Sequence, residues 1–312
     1  MTTFVNSINN LSTKNTPFFF VVDYDLKYYD VTPLDSLPDD IFYSVDGKLS
    51  KSTKINFHKK HISKQLYKKQ FDKIISNIKD GNTYLANLTS PTYIDTNLSL
   101  KEIYSQATSR FKLYYKDKFV CFSPEAFCSI KDDKIYTYPM KGTIDTKVPN
   151  ALETILKDPK ELAEHTMVVD LLRNDLSMVS SKVTVEKFRY HTFVDAGDKQ
   201  LIQISSKISG VLPKNWRQTL GDILYALLPA GSITGTPKKK TIEILKDTEE
   251  YDRGFFTGVF GVFDGKELQS SVLIRYIEKQ PDGTLVYKSG GGITLDSDFE
   301  SEYQEMCDKV YI

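Results

Sequence analysis

Tyr138-Pro139-Met140-Lys141-Gly142-Thr143 sets one lysine between a proline-fixed approach and a glycine exit. The residues leading into it, Lys134-Ile135-Tyr136-Thr137-Tyr138, alternate as a short strand. Pro139 and Gly142 then read as a turn that holds the lysine in one place. The ordinary reading of such a residue is a surface charge. The alternative is an amine presented into a cleft as a nucleophile or carboxylate clamp, which needs a pKa lowered by burial or a cationic neighbour. Upstream, Phe119 to Ile130 reads as strand, turn, strand around Ser123-Pro124-Glu125, leaving Glu125 at a proline turn where a capping or surface role is usual.

Downstream, Asp158-Pro159-Lys160-Glu161 has a capping residue, proline at the first helical position and an acid three beyond the cap. Glu161 therefore has a local role in a capping box, but Glu164 has none. At 3.6 residues per turn, Glu161, Glu164, His165, Val168 and Leu172 share one side, which becomes apolar further along. Carboxylates at the start of a buried stripe are costly unless paired, protonated or metal-bound. Arg173-Asn174-Asp175 reads as the polar end of this helix. The last helix repeats the pattern: Ser297 and Glu300 suggest a capping box, and Phe299, Tyr303, Met306 and Val310 make the buried stripe. Glu302, Glu305 and Lys309 run along its edge, where a solvated Glu305–Lys309 pair is the plain alternative.

Between these helices, Pro229-Ala230-Gly231-Ser232-Ile233-Thr234-Gly235-Thr236-Pro237-Lys238 feeds a helix with small residues, hydroxyls and free backbone N–H groups. That composition suits an anion, although the spacing is not that of a Walker loop. Strands are expected near 256–262, 270–277 and 284–288, with hairpin turns at Asp264-Gly265 and Asp282-Gly283. Arg275 inside the second would require an anionic partner. Further strands read at 18–22, at 83–89 ending before Pro91, at 183–193 and at 201–211. Helices read at 61–79, 99–108 and 219–228. Residues 1–60 read as a short N-terminal strand and loop region packed on a core formed by 61–312, with 48–60 as loop.

The 312 residues are 40% hydrophobic and 26% charged, with 41 basic and 41 acidic side chains. A neutral balance builds no field for nucleic acid, and no apolar run approaches a membrane span. The first residues lack the pattern of a signal peptide. Cys121, Cys128 and Cys307 have no metal-ligand spacing and suit a reducing compartment, so the expectation is a cytoplasmic protein. Two acidic helix pairs, an isolated acid, a placed lysine and an anion-friendly loop together suggest one cleft. It would hold Mg²⁺ through carboxylates and an anionic substrate through cations and N–H groups.

Taken as a set, Pro139-Met-Lys141-Gly-Thr143, Glu161-Leu-Ala-Glu164-His165, Val169-Asp-Leu-Leu-Arg173-Asn-Asp175-Leu176, Gly231-Ser-Ile-Thr-Gly-Thr-Pro237-Lys238, Gly290-Gly-Gly-Ile-Thr-Leu-Asp-Ser-Asp298 and Glu302-Tyr-Gln-Glu305 resemble the chorismate-utilising enzymes. The motifs stand in family order over roughly residues 65 to 312. Within the family, the chain is most similar to the first component of aminodeoxychorismate synthases. The resemblance implies an α+β fold, one large domain of two packed antiparallel sheets flanked by helices. It also implies Mg²⁺ on Glu164 and Glu302, with Glu161 and Glu305 beside them. Ser232, Thr234, Arg275, Gly291 and Lys309 fall where the family binds substrate carboxylates or completes the pocket.

Lys141 matches the lysine that marks the aminodeoxychorismate synthases, where anthranilate synthases carry alanine; it implies an amine that adds to C2 of chorismate. Glu125 matches the acid that protonates the departing C4 hydroxyl. Leu85 stands near the position of the lysine base with which salicylate and isochorismate synthases activate water, so water addition is disfavoured. Two positions depart from the family: Gln203 replaces a common histidine and Leu85 a common glutamine. The N-terminal part is short for a regulatory tryptophan pocket. No cysteine lies in a glutaminase-like nucleophile elbow, so ammonia is expected from a separate glutamine amidotransferase subunit or from solution.

Overall fold

A computed structural model of the chain describes residues 2–47, 57–196 and 199–311, with side chains left undescribed at 194–196 and 199. It opens with α1 (Thr2–Thr13), then β1 (Phe18–Val22), β2 (Tyr29–Pro33), β3 (Ile41–Ser44), β4 (His58–Lys60) and α2 (Lys64–Lys79). Next come β5 (Leu85–Asp95), α3 (Leu100–Gln106), β6 (Phe111–Tyr115), β7 (Phe119–Ser123), β8 (Ala126–Lys131), β9 (Lys134–Thr137) and β10 (Met140–Asp145). The middle of the chain is α4 (Ala151–Lys157), α5 (Pro159–Val179), β11 (Ser181–Ala196), β12 (Lys199–Val211), α6 (Leu220–Leu227), β13 (Gly235–Thr236) and α7 (Lys238–Thr248). It closes with β14 (Val259–Phe263), β15 (Leu268–Val272), β16 (Tyr276–Lys279), β17 (Leu285–Ile293) and α8 (Phe299–Asp308).

Among the described residues the strands form two antiparallel sheets. One runs β10-β12-β9-β8-β15-β14-β1-β2, with β11 on β12; the other runs β13-β5-β17-β16-β7-β6-β3, with β4 on β5. The reason they stack is visible in β1, whose five residues are all apolar and all buried. Phe18, Phe20 and Val22 face a core shared with Phe4 and Ile8 of α1, Leu172 and Leu176 of α5, and Leu224 of α6. Phe19 and Val21 point the other way, onto Phe111, Leu113 and Phe119 of the second sheet. Residues i and i+2 share a face of a strand, so an unbroken apolar run demands cover on both sides. At about 1.5–3 kcal/mol per large apolar side chain buried, this strand anchors both layers. On the far side of the second sheet, α2, α7 and α8 bury Tyr67, Phe71, Ile74, Leu245 and Met306. The expected α+β architecture of two packed antiparallel sheets flanked by helices is what the chain adopts.

Several local expectations change. The N-terminal region contains a helix, α1, in addition to its strands. Residues 48–56 of the expected 48–60 loop lie outside the described residues, while His58–Lys60 forms a strand on β5. The strand from Leu85 continues through Pro91 to Asp95. Pro91 keeps its place because it pairs with Lys288 on one side and falls beyond the reach of β4, which pairs only with residues 93–95. α5 does not end at Arg173-Asn174-Asp175 but runs to Val179, because Asp175 is buried and ion-paired with Lys238 at 3.0 Å. Ser289 to Ile293 is strand, paired with Ala86–Ser90. The cap of α8 is Asp298, which accepts from Ser301 N–H, rather than Ser297.

The expected strand at 270–277 is two strands in different sheets, and so is the hairpin read around Ser123-Pro124-Glu125. β7 lies in the second sheet and β8 in the first; β15 lies in the first and β16 in the second. The two crossings run side by side: Phe122 N–H donates to the Arg275 carbonyl at 3.1 Å, and Val272 N–H donates to the Glu125 carbonyl at 3.3 Å. Each crossing carries one of the residues singled out above, Glu125 and Arg275. Arg275 is therefore not inside a strand; it sits between two, at φ +51°.

Candidate active site

Lys141 is not at a turn. β9 and β10 lie end to end along one edge of β12, with Thr137 opposite Ile208 and Met140 opposite Ser205. The register shifts between Met140 and Thr143, so Lys141 and Gly142 form a bulge in the edge strand. Pro139 has no N–H for the ladder, and its carbonyl accepts from Ser206 N–H at 2.9 Å. Gly142 sits at φ +97°, so the backbone angle favours glycine, and a Cβ there would come within 2.9 Å of Glu161 Oε2 and push that carboxylate aside. The bulge turns the Lys141 side chain toward the start of α5, where its Nζ lies 2.7 Å from Glu164 Oε2. Lys160 lies 3.9 Å from the other oxygen of Glu164.

At the head of α5, Asp158 accepts from Glu161 N–H as expected. The return half of the capping box is absent: Glu161 Oε2 is buried and has no hydrogen-bond partner. The acids of α8 close the cleft from the other side. Glu302 is buried and accepts from Ser297 Oγ at 2.7 Å. Glu305 pairs with Lys309 Nζ at 2.6 Å, and that amine also donates to the Gly290 carbonyl at 2.9 Å. A Cβ on Gly291 would lie 3.2 Å from Glu302 Oε2, 3.8 Å from Lys309 Nζ and 3.9 Å from Glu305 Oε1. The glycine strand β17 thus forms a floor whose lack of side chains leaves this space open.

Glu125 accepts from Ser232 Oγ at 2.5 Å, so a hydroxyl of the loop expected to bind anions holds the acid. Its main chain is fixed by Ser271 Oγ, which donates to the Glu125 carbonyl at 2.7 Å. Thr234 is fully buried, and its hydroxyl donates to the Ala230 carbonyl at 2.8 Å, which commits that side chain to the loop. Arg275 Nη1 donates to the Lys309 carbonyl at 3.2 Å and its guanidinium lies 4.7 Å from the centre of the Tyr311 ring, while its Nε is buried without a partner. Lys309 and Arg275 both act electrostatically on Glu125, and Lys141 acts on Glu161, Glu302 and Glu305. The two ends of the cleft are one charged array.

The proton affinities follow from burial and pairing. Burial raises the pKa of Glu125, and the Ser232 hydrogen bond, Lys309 and Arg275 offset this only in part. Burial likewise raises Glu161, where Lys141 opposes and Glu164 adds to the effect. It also raises Glu302, against the bond from Ser297 and with the repulsion of Glu305. Desolvation works to raise Glu305 too, but Lys309 outweighs it and the net is downward. For Lys141, desolvation pulls the pKa down and the Glu164 carboxylate pulls it up harder, so the amine is held as an ammonium. The opposite balance holds at Lys309, where desolvation wins over Glu305. A nucleophilic Lys141 would call for a lowered amine pKa; the paired geometry reverses that sign.

The donor set is four carboxylates from two facing helices, two of them buried or orphaned and destabilised as anions. Hard oxygen donors of this kind suit Mg²⁺ or Ca²⁺. Among the described residues, no three acidic, histidine or cysteine side chains already stand close enough to cage a metal ion. The arrangement fits a cation held by one or two carboxylates and completed by water and substrate, which is the usual Mg²⁺ mode. Among the described residues no helix is long and apolar enough to cross a membrane.

A model of the chorismate binding enzymes matches residues 44–312. An uncharacterized PabA-like protein of Pasteurella multocida is 44% identical over 99% of this chain and 98% of its own length. Aminodeoxychorismate synthase component 1 of Bacillus subtilis is 35% identical over 62% of this chain and 42% of its own length. The crystal structure of anthranilate synthase component I from Streptococcus pneumoniae superposes with a TM-score of 0.70 at 25% identity, covering 83% of this chain and 59% of that one.

Proposed function

The chain belongs to the chorismate binding enzyme family, and from that premise we propose that it is the first component of an aminodeoxychorismate synthase. It converts chorismate and ammonia to 4-amino-4-deoxychorismate and water, toward para-aminobenzoate and folate. The observation that carries this reading lies around Gly292. A Cβ placed there would meet Leu85 Cδ1 at 3.5 Å and Lys141 Nζ at 4.0 Å. The two side chains that differ between the family's reactions therefore face the same space. On one side stands an apolar group that cannot activate water; on the other stands an amine.

In this reading Glu164 and Glu302 would hold Mg²⁺, with Glu161 and Glu305 beside them, and the ion would supply a fixed positive charge for the substrate's ring carboxylate. Lys141 begins as an ammonium beside Glu164, 2.7 Å away, and releases its proton to solvent before it can act as a nucleophile. Its free amine forms a bond to C2 as the ring double bond shifts and the C4–O bond breaks. Glu125, whose pKa burial raises, acts in its protonated form and gives its proton to the departing hydroxyl, which leaves as water. Ammonia then bonds to C4, the double bond shifts back and the C2–N bond to Lys141 breaks. The surplus proton on the new amine returns to the Glu125 carboxylate. Ammonia comes from a glutamine amidotransferase subunit or from solution, and the process is one of the cytoplasm.

Mass-resolved product analysis with chorismate, Mg²⁺ and ammonium tests this. The expected product is an aminated chorismate that retains its enolpyruvyl group. Anthranilate with pyruvate would overturn the subclass, and a thermal shift with Mg²⁺ and chorismate but no turnover would make the chain a binding subunit.

A further inference from the structure

The Lys141 carbonyl falls inside the β10 bulge, where β12 offers it no ladder partner. A buried carbonyl left unpaired is costly, and this one is met by His165, one residue beyond Glu164 on α5. His165 Nδ1 lies 3.1 Å from the Lys141 oxygen, and the ring is fully buried. A carbonyl oxygen carries no proton, so the facing ring atom must be an N–H donor. On the other side, His165 Nε2 lies 2.7 Å from Ser206 Oγ. Ser206 Oγ already accepts from Arg189 N–H at 2.9 Å, which leaves its own hydrogen free to donate to Nε2. Donors and acceptors then match along the whole line, from Arg189 N–H to the Lys141 carbonyl, with a neutral ring.

Both ends of the line are anchored. Ser206 N–H holds the Pro139 carbonyl at 2.9 Å, two residues before Lys141. The Arg189 guanidinium donates to the Ile155 and Leu156 carbonyls at the end of α4, both at 2.8 Å. Phe188 packs edge-on against the imidazole with centroids 5.7 Å apart. The bulge is therefore pinned to α5, the same helix that supplies Glu164 to the amine.

We propose that His165 is a positioning residue: as the neutral Nδ1–H tautomer it clamps the Lys141 main chain to α5 and sets the register of the Lys141 amine against Glu164. This rests on the reading of Lys141 as nucleophile, and the test separates the two. In ¹⁵N-histidine-labelled protein with four histidines, the His165 signals, identified by their loss in His165→Asn, are expected to show the Nδ1–H tautomer. An Nε2–H tautomer overturns the proposal whatever the enzyme does. His165→Asn keeps an N–H donor near the place of Nδ1, whereas His165→Leu removes it. The rate of the chorismate-derived adduct on Lys141 is expected to fall about 100-fold in the leucine variant, as for a nucleophile displaced by about 1 Å. Recovery to within a few fold is expected in the asparagine variant, with chorismate binding unchanged in both. Equal losses in the two variants would make His165 a packing residue and overturn the proposal. If the wild-type protein forms no adduct, the proposed function fails while the tautomer measurement still decides this one. Reductive methylation of Lys141, mapped by mass, then replaces the adduct readout: faster labelling in His165→Leu than in wild type, reversed in His165→Asn, is expected, and identical rates overturn it.

Discussion

Two clusters of buried charge in this molecule look alike in composition and differ in completeness. Glu249 and Arg253 form a bidentate pair at 2.7 Å, with side chains 4% and 3% exposed. Arg253 also donates to the Asn87 and Ile233 carbonyls and to Thr257 Oγ1, and Glu249 also accepts from Thr89 N–H and Oγ. Nearly every donor is answered. In the cleft, by contrast, Glu161 Oε2 and Arg275 Nε are buried without partners, and Lys141, Lys160 and Lys309 stand against the four helix carboxylates without pairing Glu161 or Glu302. A satisfied network holds a fold together; a half-satisfied one is costly unless something else completes it. The difference marks which cluster is structure and which is site.

The sharpest way to break this comparison is Lys141→Ala, which should abolish the chorismate-derived adduct while costing less stability than the loss of Arg253, because Lys160 still faces Glu164 at 3.9 Å. Peptide mapping decides it: an adduct persisting on Lys309, whose amine is the one desolvation favours as neutral, would move the nucleophile there. Arg253→Met should do the reverse, costing about 3–5 kcal/mol in denaturant unfolding because it strands a buried Glu249 carboxylate. A loss below about 1 kcal/mol would mean that the pair is replaceable and that the two clusters do not differ in what they contribute to stability.

Glu125→Gln should lower turnover by about 10²–10⁴-fold with little change in chorismate binding; parallel losses in both would make Glu125 a binding residue. The acid works protonated and its pKa is raised, so the descending limb that Glu125 gives the wild-type pH–rate profile should fall as pH rises through that raised value. The same raised pKa means that the folded state favours the protonated form. Glu125 thus supports stability below its unfolded pKa and loses that support as pH rises through the folded one. Glu125→Gln should therefore gain stability relative to wild type at neutral and alkaline pH, and a uniform shift at all pH values would contradict this. The smallest effect is expected for Glu302→Gln, raising the Mg²⁺ concentration needed for half-maximal activity by on the order of tenfold, since fewer charged ligands weaken a hard-cation site. An unchanged Mg²⁺ titration would remove Glu302 from the ligand set.

Periodicity exposed the acids of α5 and α8, because a carboxylate on the apolar side of an amphipathic helix is anomalous without any tertiary information. It exposed Phe18–Val22 for a similar reason. The helix α1 went unread although Phe4 and Ile8 are four apart, since Asn, Thr and Ser around them are weak helix formers. Sheet membership was invisible. Nothing local distinguishes Ser123-Pro124-Glu125 from an ordinary hairpin turn, or tells Ser270 to Ile277 that it must divide between two sheets. The role of Ser232 was read as an anion site because hydroxyls in a glycine-rich loop suggest one; its partner, Glu125, lies 107 residues away in sequence.

What the sequence by itself determined is the set of chemical groups and the elements that bear them: lysine before glycine, paired acids on helices, an acid at a proline turn, a glycine floor. These follow from residue identity and from short-range rules of turn, cap and period. Only the tertiary structure decided which of these groups meet. It placed Lys141 in a bulge instead of a turn, put Glu125 and Arg275 on adjacent crossings between the sheets, and set a carboxylate 2.7 Å from the amine. That last contact reversed the expected direction of the Lys141 pKa. Burial and pairing are properties of neighbours distant in the chain, and a proton's affinity is set by those neighbours rather than by the residue that carries it.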